Sequence, residues 1–281
     1  MSSSKQALRS RIRSIRSTKK ITSAMEMISN VKLFRQRQKM EKNRIYSAKL
    51  KSIVSEIIAK NSQIESSFQI KNKKEDEVVF VMCSDLGLAG AYNANILKKL
   101  KEEVKSISEI VVIGTKLRSL IQSNGFKVAN ESISSDMIDF NYLQKLLAKY
   151  IHLFQLGKIG KISILYTRFI NTMNFEPTLE TLLPLNVSHQ KEIQEHVETL
   201  FEPNAQELLD TVIPMMLNSI LYAHWLESAT AEQGSRRVAM KTATDNANEL
   251  AEQLQLEYNK LRQATITQEI TEIVSGANVA K

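Results

Sequence analysis

The C-terminal stretch from Met215 to Lys281 contains no proline and only two glycines, Gly234 and Gly276. A helix from Met215 to Ser275 would be roughly 90 Å long at about 1.5 Å per residue. A compact domain built from 281 residues is not that wide. The stretch therefore predicts a long helix that either projects from a domain or pairs with another helix.

Small and apolar residues recur along this predicted helix at mixed spacings of three and four residues. They are Ala247, Leu250, Leu254, Tyr258, Leu261, Thr265 and Gln268. A seam with a period near 3.5 is typical of a coiled coil, whereas the core-facing side of an ordinary helix is broader. A bundle helix with ordinary loops is the alternative interpretation.

The end of the same helix is apolar, although an exposed chain end is normally polar. Ile266, Ile270, Ile273 and Val274 lie at helical spacing, and residues 277–280 carry no charge. An apolar helix end predicts insertion into another protein.

Residues 1–86 lack glycine and proline, which predicts a second long helix near the N-terminus. Its seam is formed by Leu8, Ile12, Ile15, Thr22, Met25, Ile28, Tyr46, Leu50, Ile53 and Ile57. Residues 1–60 contain sixteen Lys or Arg and three Glu, a net charge of +13 against +8 for the whole chain. A helix this basic indicates an acidic partner, a nucleic acid, an anionic membrane or exposure to water.

Between the two long helices, short β-branched runs alternate with helical segments. Strands are predicted at 78–83, 109–114, 161–169 and 175–185, and helices at 93–106, 115–123, 140–156 and 190–199. This alternation predicts a mostly parallel sheet covered by helices. Asn204, with Glu207 three residues later, is expected to cap the final helix, and Pro214 should kink or divide it.

The predicted fold class is therefore α/β plus long helices. An antiparallel coiled coil of the N- and C-terminal helices, residues 1–60 and 204–281, carries an inserted Rossmann-like α/β domain, residues 75–200.

No set of residues in the sequence has the pattern of a catalytic or metal site. The turn after the first strand contains Gly87 and Gly90, but phosphate-binding loops need more glycines or a following lysine. The four histidines lack the spacing of a metal site: His152, His189, His196 and His224. We therefore expect a protein that is not an enzyme and that holds no cofactor and no metal.

Two further features limit where the chain functions. A single cysteine, Cys83, excludes an internal disulfide and fits a reducing compartment. No apolar run approaches 18 residues, and the first residues lack the apolar core of a signal peptide. We therefore expect neither a membrane span nor export.

Three segments resemble a known family. Residues 239–247, AMKTATDNA, and 256–277, LEYNKLRQATITQEITEIVSGA, closely resemble the C-terminal helix of the gamma subunit of F-type ATP synthases. Residues 18–28, TKKITSAMEMI, resemble the N-terminal helix of that family. The chain departs from the family at Leu86 and Ala89, where Arg and Cys are usual, and at Gly234, Ser235 and Arg237.

This resemblance implies the central-stalk rotor subunit of F1Fo ATP synthase, which couples ion flow through the membrane c ring to ATP synthesis or hydrolysis at the beta subunits. The implied partners are the alpha and beta subunits, the epsilon subunit and the c ring, without nucleic acid. The implied location is the cytoplasmic face of a bacterial cell membrane, where the chain is held only through the complex.

The resemblance also implies roles for individual residues. The expected contacts with a beta subunit are Met25, Arg236, Arg262, Gln263, Thr267 and Glu269. Ile270, Ile273 and Val274 would form a bearing tip, and Glu202 would lie near the c ring. The alternative to this function is a coiled-coil adaptor that binds nucleic acid through the basic first helix, although residues 1–60 offer only two aromatic residues, Phe34 and Tyr46, for stacking on bases.

Overall fold

The computed structural model describes residues 2–60, 67–69, 76–104, 109–129, 133–185 and 204–279. Two long helices lie at the two ends of the chain, α1 at Ser2–Lys60 and α5 at Ala205–Val279. Among the described residues between them, three shorter α-helices are present, α2 at Tyr92–Glu103, α3 at Arg118–Ser123 and α4 at Phe140–Gln155. The strands are β1 at Glu77–Met82, β2 at Glu109–Ile113, β3 at Lys161–Phe169 and β4 at Phe175–Leu183. The predicted helix at 190–199 lies outside the described residues.

The chain divides into two compact units. Unit 1 consists of Met1–Asn30 and Arg236–Lys281, and unit 2 of Val31–Ser235. Both α1 and α5 contribute residues to both units. The domain limits expected from the sequence, 1–60 with 204–281 and 75–200, stay a prediction.

Unit 2 contains a four-stranded sheet in the order β2-β1-β3-β4. β1 pairs in parallel with β2 and β3, and β4 pairs antiparallel with β3. The mostly parallel sheet expected from the sequence is confirmed.

Alternate residues of β1 face two different cores, as the two-residue repeat of a strand requires. Val78, Phe80 and Met82 join a core with side chains of α1, α4 and the first part of α5. Val79 and Val81 join a second core with side chains of α2 and α3. Because the sheet is covered on both faces, residues 78–82 of the central strand β1 form a continuous apolar run.

The helix pair of unit 1 is a coiled coil with a strict heptad seam. On α5 the least exposed positions recur at spacings of four and three: Met240, Thr244, Ala247, Ala251, Leu254, Tyr258, Leu261 and Thr265. On α1 they are Lys5, Leu8, Ile12, Ile15, Lys19, Thr22, Glu26 and Ser29. The predicted coiled coil is confirmed, but five predicted seam positions are wrong, because they are exposed: Ile28, Tyr46, Ile53, Leu250 and Gln268. Leu250 and Ile28 are 39% and 57% exposed, whereas their neighbours Ala251 and Ser29 are 8% and 2% exposed.

The start of α5 agrees with the sequence, and of the kink or division expected at Pro214 the division does not occur. Asn204 Oδ1 accepts a hydrogen bond from Glu207 N at 2.9 Å, and its amide donates to Glu207 Oε1 at 2.7 Å. This reciprocal pair is the predicted cap. The predicted division at Pro214 is wrong, because α5 continues through it as one helix.

Burial explains why Pro214 does not end α5. A proline inside a helix costs about 3 kcal/mol or more. Leu209, Ile213 and Leu217 are each at most 1% exposed, and burying one such side chain contributes about 1.5–3 kcal/mol. The burial of apolar side chains on both sides of Pro214 therefore outweighs the free-energy cost of a proline inside the helix.

Candidate functional site

The surface of the unit 1 helix pair contains most of the residues singled out in the sequence. The two segments run antiparallel, since the residue numbers of the partners on α5 decrease as those on α1 increase. The polar links between them are Arg16 Nη2 to Gln255 Oε1 at 3.2 Å, Lys19 Nζ to Asn248 Oδ1 at 2.5 Å, and Thr244 Oγ1 to Thr22 Oγ1 at 2.7 Å. These bonds fix the register of a seam that holds few large apolar side chains.

Four of the expected beta-subunit contacts are exposed on α5: Arg262, Gln263, Thr267 and Glu269. They therefore have side chains available to a partner. Met25 is half-buried in α1, and Arg236 is buried, only 8% exposed. Arg236 thus offers little surface for an external contact.

The expected bearing tip is exposed. Ile270, Ile273 and Val274 are 57%, 72% and 54% exposed, and the helix around them continues to Val279. Glu202 lies outside the described residues.

A basic stripe runs along α1 in unit 1. Arg9, Arg13, Arg16 and Lys20 line one groove of about 630 Å³ together with Gln255 and Tyr258. Like charges at four-residue spacing destabilise a helix. Among the described residues of unit 1, no carboxylate forms an ion pair with this stripe. The stripe therefore offers an uncompensated surface to an anionic partner.

In nucleotide-binding α/β folds, phosphate is held at the carboxyl end of a strand where the strand order reverses. In this sheet β1 is such a strand, because β2 lies on one side of it and β3 on the other, and the turn after β1 lies at this point. In this chain Asp85 occupies that position. Its Oδ1 accepts from Thr115 N at 3.0 Å, and its Oδ2 accepts from Ser134 Oγ at 2.9 Å and Ser135 N at 2.7 Å. The carboxylate thus ties the turn after β1 to two segments that follow β2, and its charge repels an anion.

Gly114, at the end of β2, fits closely beneath this turn. Its φ is +103°, and an added Cβ would lie 2.1 Å from the carbonyl oxygen of Cys83. Only glycine allows β1 and β2 to approach this closely.

Cys83 itself is 4% exposed, and burial raises the pKa of its thiol to about 12. A buried thiol with this pKa stays protonated and is a poor nucleophile.

The described residues offer no other chemical centre of the kinds considered in the sequence. Within the described ranges, no group of three or more His, Cys, Asp or Glu is placed to hold a metal ion. In that same part of the chain, no helix has the length and apolar character of a membrane-spanning segment. His189 and His196 lie outside the described residues, and His152 is exposed.

Comparison with known proteins identifies the family. A family model described as ATP synthase matches residues 4–279. The ATP synthase gamma chain of Alkaliphilus metalliredigens is 35% identical to this chain over 286 residues, covering 98% of each. The gamma chain of Mycoplasma mobile is 36% identical over 279 residues, covering 97% of each. This chain belongs to the ATP synthase gamma chain family.

Solved structures show the same fold. The rotor of the Euglena gracilis mitochondrial ATP synthase has a TM-score of 0.66 at 17% identity, over 95% of this chain and 100% of that one. The central stalk and c-ring structure from Tetrahymena thermophila contains a chain with a TM-score of 0.59 at 19% identity, over 79% of this chain and 99% of that one. The fold class expected from the sequence is thereby confirmed.

Membership of the gamma chain family settles the general role. The chain is a non-catalytic central-stalk subunit of ATP synthase, and catalysis takes place on the beta subunits. The resemblance drawn from residues 18–28, 239–247 and 256–277 is confirmed. Sequence reasoning missed the hydrogen-bonding role of Asp85. An aspartate directly after a buried strand and before a glycine-rich turn is the only signal that pointed to it.

Proposed function

We propose that the helix pair of unit 1 turns inside a ring of alternating alpha and beta subunits. Unit 2 binds the epsilon subunit and the ring of c subunits. Ion flow through the membrane turns the chain, and the asymmetric helix pair drives the beta subunits in turn through states of different nucleotide affinity.

The observation that carries this proposal is the outward apolar surface of unit 1. Eight large apolar side chains there are at least 46% exposed: Ile21, Met27, Ile28, Leu256, Ile266, Ile270, Ile273 and Val274. A coiled coil of two helices buries only one seam on each helix, and the outer positions of a free one are normally polar. Apolar side chains at these outer positions favour a surrounding protein sleeve.

The chemistry of the tip fits a sliding contact. Ile270, Ile273 and Val274 offer no charge and no side-chain hydrogen bond, so their contact with the sleeve is non-directional. A non-directional contact changes little in energy as the helix turns. We therefore assign these residues to a bearing at the end of α5.

The polar residues below the tip suit contacts that form and break. Arg262 presents five N–H donors, and Gln263 both donates and accepts. A hydrogen bond to a charged group contributes about 1.5–3 kcal/mol, and an exposed ion pair only about 0–1 kcal/mol. Arg262 and Gln263, with Thr267 and Glu269 nearby, are therefore assigned to an acidic loop of a beta subunit that is held at one angle and released at the next.

Three assignments concern the remaining contacts. Met25 is assigned to the beta-subunit surface of α1, and Glu202 to the neighbourhood of the c ring. Arg236 keeps its assignment as a beta-subunit contact, although its burial leaves only a small surface for one.

The location follows from the assembly. The chain lies on the cytoplasmic face of a bacterial cell membrane as a peripheral protein, attached to the membrane only through the complex. The Euglena and Tetrahymena structures of this fold are a rotor and a central stalk with its c-ring, which supports attachment through such an assembly.

Co-purification tests the assembly. The tagged chain, isolated from its own cells at moderate salt, should bring alpha and beta subunits with it in constant ratio. The basic stripe on α1 also fits the alternative, a nucleic-acid adaptor. Recovery of nucleic acid without alpha and beta subunits would support that alternative and overturn the proposed assembly.

A further inference from the structure

A buried histidine in unit 2 lies between two carboxylates from different elements. His224 belongs to α5, and its side chain is 12% exposed. Its Nε2 lies 3.3 Å from Glu180 Oε2 of β4, and its Nδ1 lies 3.9 Å from Glu227 Oε2, three residues further along α5. Both ring nitrogens are shielded from water. The two carboxylates are therefore the groups that determine the protonation of this ring.

The surrounding contacts hold the histidine and the carboxylates in place. The ring of Tyr166, on β3, lies with its centroid 4.0 Å from that of His224. The Tyr166 hydroxyl donates to Glu180 Oε2 at 3.4 Å, and the backbone N–H of Phe169 donates to Glu227 Oε1 at 3.1 Å. Strands β3 and β4 and helix α5 thus meet at one imidazole ring.

The number of donors and acceptors decides the charge of this ring. Carboxylates only accept hydrogen bonds, and a neutral imidazole carries a proton on only one of its two nitrogens. A neutral His224 would therefore direct a lone pair at one of the two carboxylates. Only the imidazolium ion carries a positive charge with an N–H on each nitrogen. Because neither nitrogen forms a hydrogen bond of normal geometry, its attraction to Glu180 at 3.3 Å and Glu227 at 3.9 Å is electrostatic.

The other charged groups nearby do not reverse this conclusion. Burial lowers the pKa of His224, but Glu180 and Glu227 raise it by more, so the pKa lies above its ordinary value of 6.5. His224 lowers the pKa of Glu180, and Lys51 of α1 acts in the same direction. Burial raises the pKa of Tyr166, with Arg168 of β3 opposing it weakly, so the hydroxyl stays neutral.

We propose that protonated His224 is a pH-sensitive clamp that holds β4 against α5 and that loosens as the solution becomes alkaline. The pKa of the folded protein exceeds that of the unfolded chain, so the stabilisation is complete below about pH 6.5 and is lost as the pH rises through the folded pKa. After deprotonation, two carboxylates from different elements face a neutral ring. The clamp belongs to unit 2 alone and acts in the free chain as well as in an assembly.

Proton NMR of the full-length chain tests the clamp directly. The Cε1–H resonance of His224 should titrate with a midpoint above 6.5. Glu180→Gln should move that midpoint down, by about one pH unit for each tenfold loss of preference for the charged ring. The Cε1–H resonance of the exposed His152 is the internal reference signal in both proteins.

Hydrogen exchange reads out the mechanical consequence. After correction for the intrinsic pH dependence of exchange, protection of the β4 amides should fall as the pH rises through the folded pKa of His224, which lies above 6.5, by about tenfold for each unit of the pKa shift. His224→Gln should remove this step and His152→Gln should keep it. If His224→Gln does not fold, Glu180→Gln replaces it in the same comparison. A His224 titration midpoint at or below 6.5 would overturn the proposal. So would an unchanged pH-dependent loss of β4 protection in His224→Gln or, if that variant does not fold, in Glu180→Gln.

Discussion

Replacing Gly234 by alanine is expected to destabilise the protein, although alanine is the better helix former. Gly234 lies inside α5, and the ring of Phe175, the first residue of β4, packs directly over it. An added Cβ would lie 2.8 Å from both Cε1 and Cζ of that ring and 3.8 Å from Leu33 Cδ1. Contacts of 2.8 Å between carbons are too short, so the ring has to move.

The size of the effect follows from two opposing terms. Alanine in place of an interior helical glycine contributes about 1 kcal/mol. Inserting a methyl group into a packed site costs about 1–3 kcal/mol, and the Phe175 ring is half-buried against Phe169, with ring centroids 6.0 Å apart. We expect a net loss of about 1 kcal/mol in the free energy of unfolding.

A double-mutant cycle separates these terms. In a Phe175→Ala background the ring is absent, so Gly234→Ala should stabilise the protein by about 1 kcal/mol, which gives a coupling of about 2 kcal/mol. Urea denaturation of the four full-length proteins, followed by circular dichroism, measures each value. A stabilising effect of Gly234→Ala in both backgrounds would show that the ring does not constrain the helix, and the reasoning would be wrong.

Three shorter predictions concern the surface of unit 1 and the Asp85 turn. Arg262→Ala with Gln263→Ala should leave the chain folded and lower ATP synthesis and ATP-driven rotation in reconstituted complex at equal subunit content; wild-type rates would place the drive contacts elsewhere. Ile273→Asp should impair assembly or ATP hydrolysis, because a charge placed against an apolar sleeve is costly. The control Met173→Asp, on a residue of unit 2 that is 74% exposed, should not. Equal behaviour of the two variants would contradict the bearing. The isolated chain should bind no ATP, since Asp85 occupies the phosphate position, and micromolar affinity in calorimetry with Mg²⁺ would refute this.

The α/β domain could be predicted because its signals are local. The β-branched runs that became β1, β2 and β3 were placed within about one residue of their observed limits. The Asn204 cap was equally readable, since a cap depends on residues only three positions apart.

The seam of the coiled coil was harder to predict because it is not the most apolar path along the helices. Leu250 looks like a seam residue, yet the strict heptad from Met240 to Thr265 places the small Ala251 between the helices. Likewise Ser29 is buried and Ile28 is exposed. Outer apolar side chains that serve a partner compete with the true seam, and a single sequence does not distinguish the two.

Gly234 and His224 depend on contacts that are distant in sequence. The sequence shows Gly234 only as a departure from the family, whereas the structure gives it a packing reason, the Phe175 ring. The spacing of the histidines in the sequence indicated only that His224 is not part of a metal site. Glu227 lies three residues along the same helix, but Glu180 becomes a neighbour of His224 only when β4 packs on α5. Local patterns contain no information about such pairings.

Direct observation of rotation tests the central claim. Met137 lies in a short 3₁₀ helix of unit 2 and is 81% exposed, so Met137→Cys offers a labelling site while the buried Cys83 stays unreactive. The labelled chain is assembled with its alpha and beta subunits, the ring is fixed to a surface, and a bead on the label is followed as ATP is added. The rotor assignment predicts continued rotation in one direction that stops when ATP is removed. A fixed bead on a ring that hydrolyses ATP at the normal rate would contradict it.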